Sequence, residues 1–278
     1  LFLILLYSIV FLTPFTAHAQ LSPYLTRSLT LPLTITVEPK NIIEPNSKAT
    51  VSVSSFMTNL ERAQVAWYVN DVLQKETGTS IDVSLGELGS HTAVSVSAVN
   101  GKDELSASVE LRPVELELLW ESDGYVPPLY RGRTFGSPGT NIVTHAEARF
   151  VTISGSRVLP QNIVYTWSVN GQVLSSASGR GKLSARIPIT GLFGNDIVSV
   201  EANSTDGAFR AERAVRVPSV EPLVMLYRVH PLLGIDYFNA IGMRAGFSEP
   251  EVTVAAIPYY SKSKNPRDTL LSNEWKVN

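Results

Sequence analysis

Apolar and polar residues alternate in short runs along most of this 278-residue chain. Leu33-Thr34-Ile35-Thr36-Val37 and Ala49-Thr50-Val51-Ser52-Val53 place every second residue on one face, the period of a half-buried strand. Further runs at 63–69, 81–85, 92–99 and 105–111 follow the same rule. The last two are joined by Asn100-Gly101, a dipeptide that favours tight hairpins. Glu44-Pro45-Asn46-Ser47, Gly86 and Gly89 supply the intervening turns. The pattern then returns, at 146–153, 163–169, 183–189, 197–202 and 209–217, with Asp206-Gly207 as its last hairpin turn. No segment holds a helical period, so the chain reads as all-β.

One tetrapeptide marks the repeat. Trp-x-Val-Asn stands at Trp67-Tyr68-Val69-Asn70, at Trp167-Ser168-Val169-Asn170 and at Trp275-Lys276-Val277-Asn278. A period of roughly a hundred residues suits a string of small domains better than the short units of solenoids. In each copy alternating residues lead into the Trp, and the Asn opens a turn. A Trp on a central strand fills the core of an immunoglobulin-like sandwich, so Trp67, Trp167 and Trp275 are expected in cores. The fold expected is a tandem of immunoglobulin-like β-sandwiches, two complete and a third truncated. The domains are set at 32–112, 113–219 and 220–278. The third, with strands expected only at 252–256 and up to Val277, would be completed by sequence past Asn278.

Residues 1–12 are almost wholly apolar, Pro14 ends the run, and Ala17-His18-Ala19 precedes Gln20. This is the pattern of a signal peptide over 1–19, followed by a flexible lead-in over 20–31. Export is therefore expected, to the cell surface, envelope or medium, with membrane contact through the signal peptide or an anchor outside this sequence. A net charge of −2 gives no electrostatic reason to expect nucleic acid as partner. With no cysteine, each sandwich must rest on its hydrophobic core alone.

The segment leading into the second repeat, Trp120-Glu121-Ser122-Asp123-Gly124-Tyr125-Val126-Pro127-Pro128-Leu129-Tyr130, is less regular. A related stretch opens the third, and Trp120 stands to Tyr130 as Tyr227 stands to Tyr237. Neither has the Gly/Ser composition of a tether, which points to defined joints. Trp120, Tyr125, Tyr130, Tyr227, Tyr237 and Phe238 are thus the candidate joint or partner surface.

Little else offers chemistry. His91, His145 and His230 lack metal-ligand spacing. Glu121 with Asp123, and Asp103 with Glu104, supply oxygen ligands but match no calcium loop, and solvated turn carboxylates are the simpler reading. There is no nucleophile elbow, and Gly179-Arg180-Gly181 lacks the βαβ setting of a phosphate loop. No catalytic residue, cofactor or metal is expected.

The leader, the repeated Trp-x-Val-Asn hairpin and the Leu88-Gly89 and Phe193-Gly194 turns together resemble exported bacterial proteins built from immunoglobulin-like or PKD-like repeats. The chain resembles especially the surface proteins of uncultured candidate-phylum bacteria. PKD domains follow the Trp with Gly-Asp-Gly, where this chain has Val69-Asn70-Asp71 and Val169-Asn170-Gly171. The resemblance implies a non-catalytic extracellular spacer or adhesion role, with an unidentified protein or glycan at the cell surface as partner. An alternative is an accessory arm that presents substrate to a hydrolase domain past Asn278.

Overall fold

The computed structural model describes residues 33–56, 58–101, 103–242 and 250–276. The segments read as signal peptide and lead-in, and the Val277-Asn278 end of the third motif, lie outside the described residues. The chain is all-β and builds tandem β-sandwiches.

In the first sandwich, β1 (Thr34–Glu38), β2 (Lys48–Ser54) and β5 (Ser80–Ser84) form a sheet in the order β1-β2-β5. The facing sheet, β4-β3-β6-β7, uses β3 (Gln64–Val69), β4 (Val72–Leu73), β6 (Thr92–Asn100) and β7 (Asp103–Leu111). Inward residues of both sheets, among them Val51, Val53, Ile81, Val83, Val94 and Val96, close around Trp67, which is wholly buried. Its indole N–H donates to the Gly78 carbonyl at 2.8 Å, so burying the ring strands no polar group.

The second sandwich repeats the plan. Its sheets are β13-β9-β8 and β11-β10-β14-β15, built from β8 (Glu115–Ser122), β9 (Asn141–Arg149), β10 (Ile163–Val169), β11 (Gln172–Val173), β12 (Gly179–Arg180), β13 (Ser184–Pro188), β14 (Gly194–Ser204) and β15 (Arg210–Ser219). Strand β12 pairs separately with β10. Trp167 is wholly buried, with its indole N–H on the Lys182 carbonyl at 2.9 Å.

The tetrapeptide explains itself in both sandwiches. After Trp in the core, the Asn turns the chain: Asn70 and Asp71 have positive φ, at 49° and 63°, and Asn170 and Gly171 stand at 50° and 81°. Asn, Asp and Gly tolerate this left-handed region best. The Asn side chain then clamps the turn to the neighbouring strand, Asn70 Oδ1 accepting from Ala93 N–H and Asn170 Oδ1 from Ile197 N–H, each at 2.9 Å.

Three expectations are corrected. The strand placed at 146–153 lies earlier, as β9. Its inward-facing Thr144 masks the alternation, yet is satisfied by the Ala185 carbonyl at 3.1 Å, and a tight turn at Thr152–Gly155 ends the run. The segment from Trp120 is not irregular throughout, because Trp120 closes the regular strand β8 and the irregular path begins at Asp123. The third unit holds a sheet β17-β16-β18, from β16 (Leu223–His230), β17 (Gly234–Ile241) and β18 (Val254–Tyr259). Its first two strands escape notice in the sequence because Leu-Val-Met-Leu-Tyr-Arg-Val-His is apolar at consecutive positions and shows no period of two.

Trp275 is also corrected: it fills no core. It lies past β18 in a segment without regular structure and is 58% exposed. Among the described residues the third unit has one sheet and no second sheet facing it, so the ring has no apolar interior to enter.

Candidate functional site

The two joints are where side chains of successive units meet, and they differ in chemistry. At the first, the loop between β1 and β2 carries Ile42 out of its own sandwich and into the next. Ile42 is 9% exposed and belongs to the same apolar cluster as Trp167, Phe150 and Phe209. The backbone on either side is pinned: Glu212 N–H donates to Asn41 O at 2.7 Å and Val114 N–H to Ile43 O at 2.8 Å. Arg213 links Leu116 O (3.0 Å) to the Glu44 carboxylate (2.9 Å), and the Arg112 guanidinium lies over the Phe209 ring. Sequence reading missed Ile42. The available signal was an Ile42-Ile43 pair inside an otherwise polar turn.

At the second joint, Tyr260 is the centre. Its N–H donates to Tyr125 O at 2.7 Å, Tyr125 N–H donates to Ser261 O at 2.9 Å, and the Ser137 hydroxyl donates to Tyr260 O at 2.6 Å. These bonds add a short antiparallel bridge between the segment after β8 and the segment after β18. A methyl group on Gly124 would sit 3.0 Å from Tyr260 O and 3.1 Å from Phe135 O, so the close backbone approach favours glycine there.

Around this bridge the aromatic rings gather. The hydroxyls of Tyr130 and Tyr260 are 2.7 Å apart and those of Tyr227 and Tyr259 are 2.5 Å apart. Tyr130 meets Tyr259 and Tyr260 edge to face at 6.0 and 6.1 Å, Phe135 meets Tyr260 at 5.7 Å, and Tyr227 lies 5.7 Å from Tyr237. Such offsets are the favoured arrangement of aromatic quadrupoles. Trp120 packs partly buried against the second core, 6.5 Å from Phe135, with the Arg133 guanidinium 4.6 Å from its ring centre.

Of the candidate residues, the structure thus brings Trp120, Tyr125, Tyr130, Tyr227 and Tyr237 to this joint. Phe238 stands apart from these rings and is 80% exposed, because neighbouring residues of a strand point to opposite faces and Tyr237 takes the inward one. Phe135, Tyr259 and Tyr260 were missed, although the Tyr259-Tyr260 doublet was visible.

The electrostatics favour neutral phenols. Burial, then the hydrogen bond with Tyr130, pushes Tyr260 up from 10.0 to about 12. Burial and the hydrogen bond with Tyr227 also raise Tyr259, and burial with the neighbouring Tyr237 raises Tyr125. Protonated rings that donate and accept among themselves are suited to holding two units together.

The remaining candidates are dispersed. Asp123 accepts from the Asn141 backbone at 2.6 Å and pairs with Arg186 at 3.2 Å, so it fastens a turn. His145 contacts Ser184, and His230 accepts from Leu232 and Leu233 N–H across the β16–β17 turn. Among the described residues no three His, Asp or Glu side chains gather as a metal site would require, and no helix is long and apolar enough to cross a membrane.

No protein-family model matches the chain, and no curated protein matches it. Among solved structures it is similar to extracellular domains 3–5 of Drosophila OTK, at 13% identity and a TM-score of 0.31, over 67% of this chain and 61% of that one. It is also similar to three N-terminal domains of the outer capsid protein Hoc of bacteriophage RB49, at 16% identity and a TM-score of 0.26, over 72% and 62% of the two chains. A third is apo β-glucuronidase 3 of Bacteroides uniformis, at 16% identity and a TM-score of 0.24, over 66% and 24%. The chain spans less than two thirds of each of these, and likeness at such scores carries no functional argument.

Proposed function

We propose that this is a non-catalytic exported protein whose immunoglobulin-like domains act as spacer and adhesion modules at a bacterial cell surface. The observation that supports the reading most is the construction of the joints. Each unit is fastened to the next by residues from both, Ile42 in the second core and Tyr260 bonded to Tyr125, Tyr130 and Ser137. Fixed joints transmit position from one domain to the next, which a spacer needs and an isolated binding domain does not. A protein or glycan at the surface would be met by loops and by aromatic groups left exposed.

The test is location. An epitope-tagged chain expressed in a bacterium with residues 1–19 in place is expected in the envelope or medium. Tag still attached to cells should be lost to protease added outside. Recovery of intact chain from the cytosol, untouched by that protease, would overturn the proposal.

A further inference from the structure

The two sandwiches treat one sheet edge differently. In the second, β12 lies along the start of β10, pairing Gly179 with Tyr165 and Arg180 with Val164. Gly181 N–H donates to Ile163 O at 2.9 Å, and the Ser178 hydroxyl accepts from Trp167 N–H at 2.9 Å. Arg180 reaches forward to the Gln161 carbonyl and to Asn162 Oδ1. The edge is closed by the chain's own segment.

In the first sandwich the equivalent edge is open. The indole of Trp67 bonds a carbonyl eleven residues on, whereas that of Trp167 bonds one fifteen residues on. The shorter connection has no counterpart of β12. Strand β4 pairs with β3 at Tyr68 and Val69, Gln74 N–H adds one bond to Trp67 O at 2.8 Å, and among the described residues no strand covers 64–66 on that side. By the alternation seen in β10, the N–H groups of Val65 and Trp67 face this gap.

The gap opens into a groove of about 560 Å³ lined by residues 63–66 and by Leu73, Gln74, Glu76, Thr77, Ser97 and Val99. Leu73 is 61% exposed and Val99 37%. Glu76 is the one charged group in the lining and makes no ion pair among the described residues. Gln161, through its carbonyl, and Asn162, through its side chain, receive Arg180 in the second sandwich; Glu61 and Arg62 stand at those places in the first, and neither lines the groove.

We propose that this edge of β3 accepts, as an added strand, an extended partner segment that carries Arg or Lys beside glycine. Main-chain bonds to Val65 and Trp67 would supply the pairing, and Glu76 the preference for a basic residue. The second sandwich supplies the template: its own occupant, Leu174-Ser175-Ser176-Ala177-Ser178-Gly179-Arg180-Gly181-Lys182-Leu183, has two cations and no carboxylate. The inference does not depend on where the protein resides.

The probe is a synthetic peptide of that ten-residue sequence, titrated into isotope-labelled protein and followed by NMR. Saturable shifts are expected at residues 63–67 and 73–77, with slower hydrogen exchange at Val65 and Trp67. Glu76→Lys, at an exposed position, should weaken binding at least fivefold, and a peptide with both cations replaced by Glu should lose it. Absence of saturable shifts, shifts confined to other sites, or equal binding of the acidic peptide would each overturn the proposal.

Discussion

The first joint is an aliphatic plug and the second a network of phenols, and the two couple their neighbours in different ways. Ile42 leaves one sandwich and becomes part of the core of the next, so the second fold is incomplete without a residue from the first. Tyr260 enters neither sandwich core. It joins the third unit to the second through main-chain bonds and edge-to-face rings, and Tyr227 and Ile257, buried in the third unit, belong to neither core cluster. A core plug ties folding together, whereas a polar seam ties position and leaves each side to fold separately.

The largest effect should come from truncating the plug. Ile42→Ala removes a buried aliphatic side chain and is expected to cost about 2–3 kcal/mol, toward the low end for such truncations because the site lies at the margin of the core. The loss should appear in the second sandwich, as faster amide exchange in β14 and β15, with β2 and β5 little changed. Equal loosening of both sandwiches would show that Ile42 does not couple them in this direction.

Next comes Gly124→Ala at the second joint. The added methyl presses on the Tyr260 and Phe135 carbonyls, and overpacking against backbone costs about 1–3 kcal/mol, offset in part by a stiffer unfolded chain. Exchange should quicken at Tyr125 and Tyr260 while both sandwich cores keep their protection. A global fall in stability would erase the distinction between the joints.

A smaller effect follows from Tyr260→Phe, which keeps the ring and removes one hydroxyl. The net loss expected in denaturant unfolding of the third unit is about 0.5–1.5 kcal/mol. The same hydroxyl makes the seam sensitive to alkali. Its pKa is higher folded than unfolded, so its contribution is complete below pH 10.0 and is lost as pH rises toward about 12. Phenolate absorbance should rise in that window together with amide exchange at Tyr125, whereas the Ile42 plug, which has no titrating group, should hold.

Much of this was legible in the alternation of the chain. The strands around Trp67 and Trp167 follow the period of two, and the Asn of the repeated tetrapeptide is a turn former whose left-handed backbone the structure displays. The aromatic character of the second joint was legible too, since an irregular segment rich in Tyr must bury those rings somewhere. What stayed hidden has one cause: contacts between units carry no periodicity. Ile42 in a polar turn and Tyr260 after β18 gain their roles only when another unit is docked beside them. Phe238 stands apart from the ring cluster because strand alternation within β17 sends it away from Tyr237.

The smallest effect expected is at Trp275, and it gives the baseline for both joints. This residue shares its tetrapeptide with Trp67 and Trp167, but a motif positions a side chain only if two sheets enclose it. Trp275 is 58% exposed, and among the described residues it is not one of the rings that meet at the second joint. Trp275→Ala should therefore change stability by no more than about 0.5 kcal/mol, as exposed substitutions away from packed features do. The corresponding Trp167→Ala should cost about 3–5 kcal/mol. Comparing the two by denaturant unfolding separates the motif from its setting: similar losses would mean that Trp275 packs in solution against a surface of its own, and the third unit would then have a core that its single sheet does not supply.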